Sequence, residues 1–232
     1  MTIKRLSRRE ALGMLGVAGA AASLGCGSEG GSGTTDPTPT GGSPSGCLSP
    51  SETIGPYPSL TNFVRSDIRE GRSGVPLTLT VTVVNANNSC SPVANAAVDI
   101  WQCDAEGHYS EYSQPGYNGT GATFLRGIQI TDANGRVTFT TIFPGWYAGR
   151  ATHIHAEVKV NNATVKVTQI AFPDNVIAAV YASGVYAARG QNPTANAGDM
   201  VFADSLASEL ATITGGDPTN GFAATFTLGI PG

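Results

Sequence analysis

The stretch PLTLTVTVV (residues 76–84) puts Leu77, Leu79, Val81 and Val83 on one side and Thr78, Thr80 and Thr82 on the other. That is the period of a strand with one face buried and one wet. The same alternation recurs in AAVDIWQC (96–103), RVTFTTI (136–142), HIHAEVKV (153–160), TVKVTQIAF (164–172) and AATFTLGI (223–230). Turn signals fall between these runs: Asn87-Asn88, Asn134-Gly135, Pro144-Gly145 and Asn161-Asn162. Only 174–183 reads as helix, with Asp174 as N-cap and Gly184 near its end. Many short strands and one short helix predict an all-β, antiparallel β-sandwich with long loops.

Ahead of the strands the composition changes. MTIKRLSRREALGMLGVAGAAASLGC (1–26) has Lys4, Arg5, Arg8 and Arg9 before a short apolar run, the layout of an export signal. Its Ser-Arg-Arg-Glu is a twin-arginine pattern, and the run from Ala11 to Leu24 is too short to favour a membrane span. Leu24-Gly25-Cys26 resembles a bacterial lipid-attachment box, with Ser23 where that box has leucine. A lipid anchor at Cys26 is therefore expected, with ordinary cleavage nearby as the alternative. Residues 27–46 carry no apolar side chains able to offset the cost of ordering them, and read as a flexible linker. The folded domain is expected over 47–232, outside the cytoplasm.

The formal net charge is −4, and about −7 without the basic leader. This balance excludes nucleic acid as a partner, because phosphate binding needs clustered Lys and Arg. Of four cysteines, three lie beyond the leader: Cys47, Cys90 and Cys103. Export permits a disulfide. Cys90–Cys103, which flank one strand, is the favoured pair and Cys47–Cys90 the alternative, leaving one thiol free.

Two of the chain's three histidines stand in HIHAEVKV. In a strand, His153 and His155 share a face, while Ile154, Ala156 and Val158 face the core. Both imidazoles can then converge on one metal ion. Tyr147 lies at the turn leading into this strand, and Tyr109 lies just beyond the end of another. Two phenols and two imidazoles form an N/O donor set, and a phenolate favours a ferric ion. Taken alone, His-x-His is as readily a pair of satisfied structural histidines.

The chain resembles the intradiol ring-cleavage dioxygenases, of the protocatechuate 3,4-dioxygenase type and its secreted relatives. The matching pieces are ETIGPYP (52–58), VRSDIREGRSGVPLTL (64–79), VDIWQCDAEGHYS (98–110), FLRGIQITDANGRVTFTTIFPGWYAGRATHIH (124–155) and TQIAF (168–172). The resemblance implies one non-haem Fe(III) per chain, held by Tyr109, Tyr147, His153 and His155. It further implies a small aromatic diol and O2 as substrates, cleavage between the two hydroxyl-bearing carbons, and a cis,cis-muconate product. On the same grounds Tyr147 is the ligand that leaves and takes a substrate proton, Arg150 stabilises developing negative charge, and Gln169 supports it. Gly55, Pro56 and Tyr57, with Trp146, are expected to line the substrate pocket. His108 is expected at the rim or exposed, and Trp101 in the core.

Two departures bear on substrate and assembly. The step from Tyr147 to Arg150 is only three residues, shorter than in the better-known protocatechuate enzymes, so a more open pocket is expected. The N-terminal helical segment of catechol 1,2-dioxygenases has no counterpart, which leaves a homodimer as an open expectation. The competing reading is a non-catalytic, transthyretin-like β-sandwich binding module at the cell surface. A cupin or a mononuclear copper site would need a third imidazole, and only His108 is spare.

Overall fold

The computed structural model describes residues 46–232. The expected signal over 1–26 and the linker over 27–46, Gly46 excepted, lie outside the described residues. Eleven strands follow in chain order: β1 Pro76–Asn85, β2 Ser91–Pro92, β3 Ala97–Trp101, β4 Ser113–Gln114, β5 Tyr117–Asn118, β6 Arg126–Ile130, β7 Arg136–Ile142, β8 His153–Val160, β9 Ala163–Ala171, β10 Thr212–Asp217 and β11 Gly221–Ile230. One α-helix, α1, covers Asp174–Tyr181. None of the described helices is long and apolar enough to cross a membrane.

The larger strands form two sheets. One runs β10-β11-β1-β2 with β7 also paired to β1; the other runs β6-β3-β8-β9. The alternation read in β1 is realised: Leu77, Leu79, Val81 and Val83 are buried, each worth about 1.5–3 kcal/mol of burial. Opposite them Val98, Ile100, Ile154, Ala156, Val158 and Ile170 supply the second face of the same core. This is the expected sandwich, with one difference. β1 and β11 pair in parallel, Leu77 opposite Phe222 through Asn85 opposite Ile230, so the larger sheet is mixed. Chain ends far apart in sequence can meet this way, and no local pattern announces it.

The disulfide joins Cys47 to Cys90, with Cα atoms 6.0 Å apart, and corrects the favoured Cys90–Cys103 pairing. Cys90 sits in the turn between β1 and β2. The segment at 47–49 runs beside the end of β11, where Ser49 N–H donates to Gly229 O at 3.1 Å. Since β11 lies against β1, the two cysteines meet at one edge. Cys103 leaves β3 in the other sheet and is free and buried. The helix also begins differently: Pro173 takes the N-cap position without a side-chain bond. The Asp174 carboxylate accepts from Asn196 N–H at 3.3 Å instead.

Candidate metal centre

Sheet register builds the centre first. His155 lies between Trp101 on β3 and Gln169 on β9, and His153 lies opposite Ala171. Residues in register across neighbouring strands point to one face. Trp101, His155 and Gln169 therefore form a row on the outer face of the smaller sheet, while Ile154 and Ala156 fill the core behind. The Trp101 indole stacks on the His155 imidazole, centroids 5.0 Å apart and planes 3° from parallel.

Although they face away from the core, both imidazoles are almost fully buried. A covering of loops accounts for this. Gly55, at φ +75, passes directly over His155; a Cβ there would stand 2.7 Å from His155 Cε1. Tyr57 then packs on Tyr109, centroids 5.0 Å apart. The buried Arg126 holds this segment down, donating to Tyr57 O at 2.9 Å. Its ion-pair partner Glu111, at 3.2 Å, accepts from Leu60 N–H at 2.8 Å.

Tyr109 reaches the centre through the loop after β3. Asp104 Oδ1 accepts the N–H groups of Glu106 and His108 at 3.0 and 2.9 Å, which closes the loop. Gly107, at φ +85, passes so close to Trp146 O that a Cβ would stand 2.2 Å away. The glycine of Gly-His-Tyr is thus required by both conformation and space. Tyr147 arrives from the other side. Its three-residue step to Arg150 closes as a turn, with Arg150 N–H on Tyr147 O at 3.4 Å, and Ala148 and Gly149 in it are exposed.

Three polar atoms now meet. His153 Nε2 is 3.1 Å from His155 Nε2 and 3.1 Å from Tyr147 Oη. His153 Nδ1 donates to Ala151 O at 2.7 Å, which leaves the Nε2 lone pair facing inward. Tyr109 is fully buried, its ring centroid 5.8 Å from that of Tyr147 and 6.4 Å from that of His155. Among the described residues its hydroxyl has no hydrogen-bond partner, nor has His155 Nδ1. Orphaned buried polar atoms are costly and call for an explanation.

Burial dominates the electrostatics. It pushes His153 down to about 4, helped by the Arg150 charge, and His155 well below its ordinary value, helped by His153. Both rings are neutral donors near pH 7. Burial also pushes the Tyr147 phenol up to about 12, against the pull of Arg150, and Tyr109 well above its usual range. Phenolates in this place need a cation beside them.

Arg150 and Gln169 join the centre from its edge. Arg150 Nη2 donates to Gln169 Oε1 at 2.5 Å, and Gln169 Nε2 donates to Thr53 O at 3.0 Å. Asp199, which sequence reasoning did not single out, accepts from Arg150 Nε at 2.9 Å. Nothing local marked it, because it lies 49 residues away in an irregular loop.

Trp146 turns away from the phenols. Its indole donates to Gly190 O at 3.1 Å and lies 4.3 Å beneath the Arg189 guanidinium, so it packs rather than lining the centre. Pro56 is exposed beside Tyr57. His108 is partly exposed and stacks on Tyr117, centroids 4.1 Å apart, away from the other two histidines. Tyr112 bonds Pro58 O at 2.7 Å. Tyr109 is therefore the phenol of this loop that reaches the histidines. A surface cleft of about 360 Å³ between Glu70, Arg72, Asp104 and Glu106 includes none of the converging residues.

A family model described as Dioxygenase matches residues 57–194, more than half of the chain. The chain belongs to the intradiol ring-cleavage dioxygenase family. An intradiol ring-cleavage dioxygenase from Tetranychus urticae is 31% identical and superposes with a TM-score of 0.74, over 79% of this chain and 94% of that one. Among curated relatives, a hydroxyquinol 1,2-dioxygenase of Rhizobium sp. (strain MTP-10005) is 30% identical over 105 residues. A catechol 1,2-dioxygenase of Acinetobacter baylyi (strain ATCC 33305 / BD413 / ADP1) is 28% identical over 131 residues. Those matches cover 36% and 49% of this intradiol dioxygenase family member, and 34% and 41% of the relatives. The matched family region contains Tyr109, Tyr147, His153, His155, Arg150 and Gln169.

Proposed function

We propose that this protein is a non-haem Fe(III) dioxygenase that uses O2 to cleave a small aromatic diol between its hydroxyl-bearing carbons, giving a cis,cis-muconate-type product. The observation that carries this reading is the meeting of His153 Nε2, His155 Nε2 and Tyr147 Oη, with the partnerless Tyr109 hydroxyl buried beside them. The donors fit one ion. The two imidazole Nε2 atoms face each other 3.1 Å apart and Tyr147 Oη is 3.1 Å from that of His153, so all three would hold a single ion. The phenol oxygens suit ferric iron more than zinc.

Bound there, ferric iron would withdraw charge from a coordinated catecholate and open its ring carbons to O2. The chain's own residues divide the remaining work. His153 and His155 stay neutral, and their orientation is set by Ala151 O and by the Trp101 stack. Tyr109, sealed beneath Tyr57, is the lasting phenolate. Tyr147 sits on a short exposed turn and has the freedom to leave, and its high proton affinity suits it to accept a substrate proton. Arg150 brings a fixed positive charge toward oxygen atoms on the ring, and Gln169 orients it. The exposed Ala148-Gly149 turn leaves the approach open, which suits a neutral or bulky catechol.

The same proposal extends to location. The leader suits export of an already folded chain by the twin-arginine route, with a lipid anchor at Cys26, so iron would be loaded before export.

Tyrosinate-to-ferric charge transfer supplies a direct test. Iron-loaded protein is expected to be visibly coloured, and Tyr109→Phe to lose most of that absorbance. A colourless protein at full iron occupancy would contradict the reading.

A further inference from the structure

We propose that Asp199 is the positioning residue that sets which edge of Arg150 meets the substrate; this rests on the dioxygenase reading for its kinetic consequence. Asp199 is 1% exposed, an expensive place for a carboxylate unless every lone pair has a use. Its Oδ2 accepts from Arg150 Nε at 2.9 Å and from Ala151 N–H at 2.5 Å, and its Oδ1 accepts from Val201 N–H at 2.8 Å. The guanidinium is thereby held at two corners, Nε by Asp199 and Nη2 by Gln169. Nη1 makes no hydrogen bond among the described residues and is the corner left for a ligand oxygen. A planar guanidinium fixed at two corners has no rotation left, so the direction of the third follows.

The carboxylate also reaches both imidazoles through the chain. Toward His153, it binds the N–H of Ala151, whose carbonyl takes the His153 Nδ1 proton at 2.7 Å. Toward His155, the line passes from Arg150 through Gln169 to Thr53 O. Thr53 Oγ1 in turn accepts from the N–H of Gly55, the residue over the His155 ring, at 3.2 Å. One buried carboxylate thus orients the active-site cation, and hydrogen bonds connect it to the surroundings of both histidines. Among the described residues, Arg150 is the only side chain that hydrogen-bonds this carboxylate.

The test reads Arg150 itself and then catalysis. Nitrogen-15 NMR of protein loaded with diamagnetic Ga(III), and of metal-free protein, is expected to show one slowly exchanging arginine Nε–H that vanishes in Arg150→Lys. In Asp199→Asn one uncharged amide oxygen replaces two carboxylate oxygens and cannot serve Arg150 Nε–H, Ala151 N–H and Val201 N–H together, so the Nε proton is expected to exchange faster. With iron, Asp199→Asn is expected to keep its metal content and colour, to lose about 10²-fold in kcat and to change KM little. In an Arg150→Met background the same change is expected to cost nothing further.

A fast-exchanging Arg150 Nε–H in the wild type, or one unaffected by Asp199→Asn, would overturn the proposal even if Asp199→Asn folds poorly. So would losses that simply multiply in the double variant. If the wild type turns over no catechol, the dioxygenase reading fails, while the exchange measurement still decides whether Asp199 holds Arg150.

Discussion

Tyr109 and Tyr147 carry the same phenol into unequal surroundings. Tyr109 is sealed under Tyr57, whereas Tyr147 begins a turn whose next two residues are exposed. The proposed division between a ligand that stays and one that leaves rests on that inequality. Asp99 shows the cost of burial more plainly. It lies on β3 beneath Ser59 Oγ, 3.1 Å away, and burial pushes its carboxyl up to about 7, the hydrogen bond and Lys159 only partly opposing. An unfolded Asp titrates near 3.8. The unfolded chain therefore ionises first, and this group's contribution declines as pH rises from about 4 to about 7, then levels off. Asp99→Asn is expected to gain about 1–3 kcal/mol over the wild type between pH 4 and pH 8. Urea unfolding at both pH values checks this; an equal difference at both would remove Asp99 as the cause.

At the scale of elements, what could be read from sequence followed local periodicity. RVTFTTI and HIHAEVKV match β7 and β8 residue for residue, and the face shared by His153 and His155 followed directly. β6 escaped because its buried Arg126 breaks the apolar pattern, and β10 because it is glycine-bearing and largely exposed. The parallel pairing of β1 with β11, the disulfide partner of Cys90, and the pairing of Arg150 with Asp199 are contacts between distant segments. Residue spacing carries no record of them. The Cys47–Cys90 bridge spans 43 residues and ties the segment leading to Gly55 onto the turn between β1 and β2. Replacing both cysteines by serine is expected to cost about 2–4 kcal/mol in denaturant unfolding. Cys103→Ser, by contrast, cannot touch the bridge; a double variant as stable as the wild type would contradict the pairing.

Across the whole molecule, the sandwich supplies rigidity and the two histidines, and the loops supply Tyr109 and Tyr147. The core side of β8 is locked between the two sheets, while its outer side carries the imidazoles. The segment from Ser49 to Thr61 crosses that outer face and is fastened at several points. Lys166 holds Ser49 O at 2.7 Å, Gln169 holds Thr53 O, and Arg126 with Glu111 holds Tyr57 to Thr61. Under these ties both histidines are almost fully buried.

Oxygen uptake by iron-loaded protein over a panel of catechols, with the product identified by mass and absorbance, tests this most directly. The expected result is one O2 consumed per diol, both atoms retained in a cis,cis-muconate-type diacid, and loss of turnover in His153→Ala. No uptake with any catechol at full iron occupancy, or a product cleaved outside the two hydroxyl-bearing carbons, would contradict it.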